Sequence, residues 1–280
     1  TNESSRTHLT RDVAFKSFGK NWVMNLGMTN YQILDDQPKC LAIGICDQND
    51  PHRLKPYMNF NASWQSKKSK INFNIDSEVV FFDHLQSEGG KRMRNRTTLS
   101  KLFNFSGIEV TPAVALDYAK FKPDANEKDT DRTIPIYSLD IKANLIKISN
   151  DGDVRQSIQP RVMAVYIPFE DQSEFPFIDT LMPDFNYFQL FNENRFIGND
   201  RIGDTSKISY GIVAKRTRIQ SGKDFFEFTL GQTLHLKDEK VVMPGESFRR
   251  SGSFTNLASM DIAMTDSLKL KLDHYWDSDV

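Results

Sequence analysis

Apolar and polar residues alternate with a period of two over much of this chain. The pattern is clearest from Asp224 to Leu236, where Phe226, Phe228, Leu230, Leu234 and Leu236 alternate with Glu227, Thr229, Gly231, Thr233 and His235. Successive side chains of a strand point to opposite faces, so such a segment has one greasy face and one polar face. The same arrangement recurs from Ser206 to Lys215, where Ile208, Tyr210, Ile212 and Ala214 oppose Lys207, Ser209, Gly211 and Lys215, and at Leu268, Leu270 and Leu272 against Lys269, Lys271 and Asp273. Earlier, Trp22, Met24, Leu26 and Met28 oppose Asn21, Asn25, Gly27 and Thr29, then Met58, Phe60, Ala62 and Trp64 oppose Asn59, Asn61 and Ser63, and Ile71, Phe73 and Ile75 oppose Asn72, Asn74 and Asp76.

The segments predict roughly eleven strands of about ten residues, the length a tilted strand needs to cross a bilayer and about twice that of a soluble sandwich strand. Two architectures fit one-sided strands: a sandwich with a solvated outside, or a barrel with a wet lumen. Strand length and the Asn, Lys, Glu and His on the polar face favour an antiparallel transmembrane β-barrel. A mean hydropathy of -0.51 does not oppose this, because only every second residue of such a wall faces lipid. No apolar run approaches the ~20 residues of a membrane helix.

Turn-rich stretches at Asp47 to Pro51, Ser87 to Gly90, Pro123 to Asp131 and Ser149 to Asp153 predict loops. No helical period is sustained. The alternation lapses from about 167 to 204, a stretch with three prolines and seven phenylalanines. A loop this long and aromatic is usually functional or folded on itself. Arg195, Asp200, Arg201 and Asp204 lie close together beside Gly198 and Gly203, which suits a loop fastened by arginine to carboxylate pairs and folded into or over the lumen. Taken singly, these charges are expected to hold the loop's shape; the loop as a whole is expected to be functional. Phe175, Phe177, Phe185, Phe188, Phe191 and Phe196 are expected to form its own small core, the alternative being contact with acyl chains or a plug protein, and Pro168 and Pro176 suit a loop leaving a strand.

Charge adds little: 36 basic and 37 acidic residues leave a net charge of -1, so no global field would draw in nucleic acid. Two basic runs, Lys67 to Lys70 and Lys91 to Arg96, suit solvated hairpin tips or contacts to phosphates. Cys40 and Cys46 are compatible with a local disulfide or with two free thiols. The start of the chain lacks the features of a secretory signal, so the chain is expected to be processed or a fragment. His8, His52, His84, His235 and His274 are scattered without metal-ligand spacing, and no phosphate-cradling or nucleophile motif is present. Neither catalysis nor a cofactor or metal is expected, and His235 is expected to be a lumen residue.

The long loop and its flanks resemble the LptD family of outer-membrane lipopolysaccharide-assembly proteins. The likeness runs through Arg132 to Asp140, Gln159-Pro160-Arg161 and Tyr166 to Ser173, including Pro168, Asp171 and Gln172. It continues through Phe175, Pro176, Phe177 and Asp179, Asp184 to Tyr187, and Leu190-Phe191, to Asn194, Arg195, Phe196, Gly198, Asp200, Arg201 and Asp204. The chain departs from the family at Gln159, where an acidic residue is usual, and at Ile146-Lys147, where an aromatic and Arg are usual. The resemblance implies that residues 1–280 are an internal part of a barrel of about twenty-six strands, without the N-terminal jellyroll or the barrel ends. It further implies a place in the outer membrane of a Gram-negative bacterium and insertion of lipopolysaccharide into the outer leaflet. An LptE-like lipoprotein plug and periplasmic bridge proteins, reached through the jellyroll, would be partners. The alternatives are a porin-like or substrate-specific channel, and a soluble β-sandwich binding module.

Overall fold

The computed structural model describes residues 8–33, 52–84, 89–124, 128–265 and 267–278. The turn expected at Asp47 to Pro51, and Cys40 and Cys46, lie outside the described residues. Among the described residues fourteen strands form one antiparallel sheet. They are β1 (His8–Phe18), β2 (Trp22–Ile33), β3 (Arg53–Gln65), β4 (Ile71–Asp83), β5 (Gly90–Lys101), β6 (Phe103–Phe105) and β7 (Ile108–Pro123), followed by β8 (Thr130–Ala143), β9 (Leu145–Ile148), β10 (Val154–Ile167), β11 (Thr205–Arg218), β12 (Asp224–His235), β13 (Phe254–Ala263) and β14 (Lys269–Ser278). A four-residue helix, α1 (Tyr187–Leu190), lies in the long connection after β10.

Chain neighbours pair throughout, so the sheet is an up-and-down meander. β6 continues the line of β5 along β7, and β9 continues β8 along β10; the meander therefore has twelve strand positions where the alternation predicts roughly eleven. A proline stands at the first lapse of each interrupted pairing. The β5–β7 register runs to Ser100 and Ala113, next to Pro112, and the β8–β10 register runs to Lys142 and Arg161, next to Pro160. Proline offers no N–H to a ladder, so pairing falters beside it. Among the described residues the sheet does not close: β1 and β14 are its free edges.

The two faces differ in an informative way. One exposes Val13, Phe15, Leu26, Trp64, Ile71, Leu99, Leu116, Leu139, Val162, Leu230 and Leu272, while the other buries Arg92, Asp117, Arg132, Lys207, Ser209, Thr229, Thr233 and His235. A soluble sandwich would bury the first set and wet the second. The observed order, greasy outside and polar inside on strands of 10 to 16 residues, is that of a membrane barrel wall.

Connections sort by length between the two ends of the sheet. Short turns at 19–21, 66–70, 149–153 and 219–223 lie at one end; the long connections 168–204 and 236–253 lie at the other. The turn expected at Ser149 to Asp153 is present, and Lys67 to Lys70 form the β3–β4 turn. Three boundaries differ from expectation. Gly90 opens β5, Pro123 ends β7, and Thr130 and Asp131 already belong to β8.

The run from Lys91 to Arg96 is not a hairpin tip. It is the first half of β5, because alternation puts Arg92, Arg94 and Arg96 together on the inner face, where carboxylates from other segments await them.

Candidate functional site

The connection 168–204 folds back across the inner face of the sheet, and it reaches from β4 to β12. Apolar contacts seat it first. Leu190, Phe191 and Ile202 pack with Ala115, Ile134, Ile136, Met163, Val165 and Ile167 of the wall, and Phe175 packs with Val80, Phe82, Ala119 and Phe121. Burying one such side chain stabilises by about 1.5–3 kcal/mol. The phenylalanines thus share cores with the strands instead of forming one among themselves. Phe188 belongs to neither cluster and is 75% exposed, and Phe177 is 43% exposed.

Helix α1 is capped by Asn186, whose Oδ1 accepts from the N–H groups of Phe188 at 2.9 Å and Gln189 at 3.2 Å. The helix rests on β12 at Gly231: a Cβ there would lie 2.2 Å from Leu190 Cδ1. The strand's polar face is therefore kept bare where the loop comes closest.

Polar contacts then fix the loop at two places. At the first, the Arg92 guanidinium lies between Glu78, at 2.7 Å, and the loop carboxylates Asp179 and Asp200, with the Phe82 ring 4.9 Å beneath it. Asp200 also accepts from the backbone N–H groups of Ile178 at 2.8 Å and Asp179 at 2.7 Å, while Asp179 Oδ1 accepts from Asn199 at 3.1 Å. Burial pushes the Asp200 carboxyl up to about 6 against the pull of Arg92. Burial would raise Asp179 too, but the Arg92 hydrogen bond and charge hold it below its ordinary range. Beside them Arg132 donates to Gln172 Oε1 at 3.1 Å and to the Asn199 carbonyl at 2.7 Å. Gln172 in turn bridges to the backbone of Ile202, donating at 2.8 Å and accepting at 3.0 Å. Arg201 donates to the Phe175 carbonyl and lies 3.9 Å from the Phe177 ring centroid.

Gly198 makes this anchor possible. Its φ is +91°, and a Cβ would stand 2.1 Å from the Asp179 carbonyl oxygen, so only glycine fits.

At the second anchor the loop meets the connection 236–253. Arg195 donates to Glu246 at 2.6 Å and to the Val241 carbonyl at 2.6 Å, over the buried ring of Phe196. Asp204 accepts from the N–H groups of Lys240 and Val241, each at 2.8 Å, and Asn194 bridges to Gly203 at 2.9 Å and to the Arg201 carbonyl at 3.0 Å. Glu239, buried beneath, takes contacts from Thr205 at 2.5 Å, His235 at 3.1 Å and Arg249 at 3.4 Å. Burial would raise its carboxyl, but the hydrogen bonds and the charges beside it hold it down at about 2.

Of the residues singled out in the sequence, Gln172, Asp179, Asn194, Arg195, Phe196, Gly198, Asp200, Arg201 and Asp204 are brought into these two anchors. Asp171 stays exposed and caps its own turn, accepting from the Ser173 N–H at 2.9 Å. Pro168 directly follows Ile167, the last residue of β10, and Pro176 lies within the loop. The sequence did not single out the carboxylates on the wall and the second loop, namely Glu78, Glu239, Glu246 and Asp117, which accepts from Arg94 of the wall at 2.6 Å, and it took Arg92 for a surface residue. Glu78 and Asp117 carry one signal, charge at an inward position of a strand, whereas Glu239 and Glu246 lie in the connection 236–253 and carry none. Among the described residues, no three His, Cys, Asp or Glu side chains cluster as a metal site would require.

A family model described as LptD, LPS transport system D, matches residues 1–280. The chain belongs to the LptD family. Proteins named LPS-assembly protein LptD are similar to it: that of Thiobacillus denitrificans is 28% identical over 99% of this chain and 37% of its own length, and that of Hahella chejuensis is 27% identical over 97% and 35%. The LptD of Shewanella denitrificans is 30% identical over 86% of this chain and 31% of its own. The chain thus spans about a third of the length of these relatives. Among solved structures, the β domain of the Bordetella autotransporter BrkA matches over 97% of this chain and 90% of its own, with 8% identity and a TM-score of 0.28.

Proposed function

We propose that this chain is part of the barrel wall and the inner loop of an outer-membrane lipopolysaccharide translocon, acting in the insertion of lipopolysaccharide into the outer leaflet. The observation that carries this reading is the inward fold of residues 168–204, a stretch that the resemblance to LptD singles out, onto the polar face of a lipid-facing wall. Such a wall shelters charged sugars and phosphates in its wet interior while acyl chains stay in hydrocarbon, which avoids the cost of burying charge in lipid. No bond is made or broken in this role, and no cofactor is required. Short turns face the periplasm in barrels of this kind and long connections face outward, which supports placing the anchored loops at the cell surface side.

A porin-like channel has less support, because family membership points elsewhere and a loop seated across much of the inner face narrows any open pore. The loop's exposed Phe188 and Phe177 and the exposed inward polar residues Asn61 and Ser63 of β3, which the loop does not cover, suit contact with a lipoprotein plug of the LptE kind. Bridge proteins would engage parts of the protein beyond this chain. The test is to deplete the full-length protein in its host and follow newly made lipopolysaccharide. Loss of surface arrival while other barrels still assemble supports the reading; undisturbed arrival overturns it.

A further inference from the structure

The outward face of the wall carries a polar row across its last four strands, separate from the Ser77, Asn95 and Thr97 set on β4 and β5. Tyr210, Gln232, Asn256 and Trp276 stand in direct register on β11, β12, β13 and β14. Gln232 interrupts an otherwise apolar outward set on β12, with Leu234 and Leu230 on either side of it. The side chains form a chain of hydrogen bonds: the Tyr210 hydroxyl donates to Gln232 Oε1, Gln232 Nε2 donates to Asn256 Oδ1 at 2.6 Å, and Asn256 Nδ2 donates to the Trp276 carbonyl at 3.3 Å. Each amide nitrogen has two N–H groups, so after these bonds one donor on Gln232 and one on Asn256 are left over. An unmet donor in hydrocarbon is costly, and polar side chains at membrane depth mark contacts with something polar.

A groove of about 400 Å³ opens at this row, with Val162, Ile212 and Leu230 among its apolar walls. The row lies toward the end of the wall that carries the long loops, since only the register of Ile208, Leu234 and Phe254 separates it from the ends of β12 and β13, and the groove runs from it to Pro160 and Ile212 at mid-strand. Slot and donors together match one kind of ligand: a fatty-acyl chain with an ester, amide or hydroxyl oxygen near its head-group end. The chain lies along the apolar wall, and the oxygen accepts from Gln232 or Asn256.

We propose that this groove binds an acyl chain of lipopolysaccharide on the outside of the barrel. The choice of lipopolysaccharide over phospholipid rests on the translocon reading, which places the long-loop end in the outer leaflet. The groove is continuous with the lipid-facing surface, so its occupant reaches it from the bilayer without crossing the wall.

The test uses the full-length protein in its native membrane, with a benzophenone amino acid in place of Ile212 in the groove and, as a control, in place of Phe73 on the outward face of β4. Illumination followed by immunoblotting for lipopolysaccharide is expected to give adducts at Ile212 well above those at Phe73. The Gln232→Leu, Asn256→Leu double variant is expected to lower the groove adduct on the order of tenfold, as loss of a hydrogen bond in an apolar medium implies. Equal yields at the two positions, adducts with phospholipid alone, or a yield unchanged by the double variant would each overturn the proposal. Should the double variant fail to fold, judged by heat-shifted electrophoretic mobility, the comparison of Ile212 with Phe73 still decides. Depletion reports separately on transport: a groove adduct with undisturbed surface arrival sinks the translocon reading and leaves the site, and the converse sinks only the site.

Discussion

Arg92 on β5 and Asp200 in the loop are 108 positions apart, yet their side chains form an ion pair with almost no exposed surface on either. The loop's position is thus written into the wall as one cation that two loop carboxylates and Glu78 share. Removing that cation leaves Asp200 buried without its counter-charge, a change that costs about 3–5 kcal/mol in comparable buried pairs. Arg92→Ala should therefore release residues 168–204 to proteolysis in folded protein. The Arg92→Ala, Asp200→Asn double variant should be cut more slowly than the single one, because the most deeply buried of the three stranded charges is gone. Equal cutting of wild type and Arg92→Ala would show that apolar seating alone holds the loop.

Gly198→Ala tests the backbone side of the same anchor. A methyl group at φ +91° directed at the Asp179 carbonyl forces the chain to move, and Asp179 and Asp200 must shift with it. The expected outcome is loop release comparable to Arg92→Ala, whereas alanine at Gly222, where φ is +65° and no neighbour lies within reach of a Cβ, should leave the loop protected.

The wall was legible because a strand's period of two shows directly in the sequence, as from Phe226 to Leu236. The loop was legible because the alternation stops there and because its residues match a family pattern. What lay hidden was pairing across distance. Arg92, Arg94 and Arg96 look in sequence like a basic hairpin tip, and only the inward phase of β5 shows that each meets a carboxylate. The connection 236–253 gave no signal, since Glu239 and Glu246 acquire meaning only when Arg195, Thr205 and His235 stand beside them. Likewise the break at Leu102 could not be foreseen from β5 itself, because Pro112, next to it, lies on another strand.

Glu239 gives the second anchor a defined dependence on pH. Its carboxyl is held at about 2 against an ordinary value of 4.5, so its contribution is complete above 4.5 and is lost as pH falls from 4.5 toward 2. Hydrogen exchange of residues 236–253 should therefore be steady from neutral pH down to the ordinary value, after correction for intrinsic rates, and then rise. In Glu239→Gln, protection should be lower at neutral pH and should lack this acid-dependent step. A step that persists in the variant would assign it to another group.

The two connections should also respond to each other, because Arg195 ties the long loop to Glu246 and to the Val241 carbonyl, and Asp204 takes the N–H groups of Lys240 and Val241. Groups in one such network couple by ~0.5–3 kcal/mol. Arg195→Ala should raise exchange in residues 236–253 as well as in its own loop, and Glu246→Ala should do the reverse. In a double-mutant cycle the two changes together should cost less than their sum. Strict additivity, with each variant loosening only its own connection, would mean that the long loop is held by the Arg92 anchor alone and that the second connection merely rests against it.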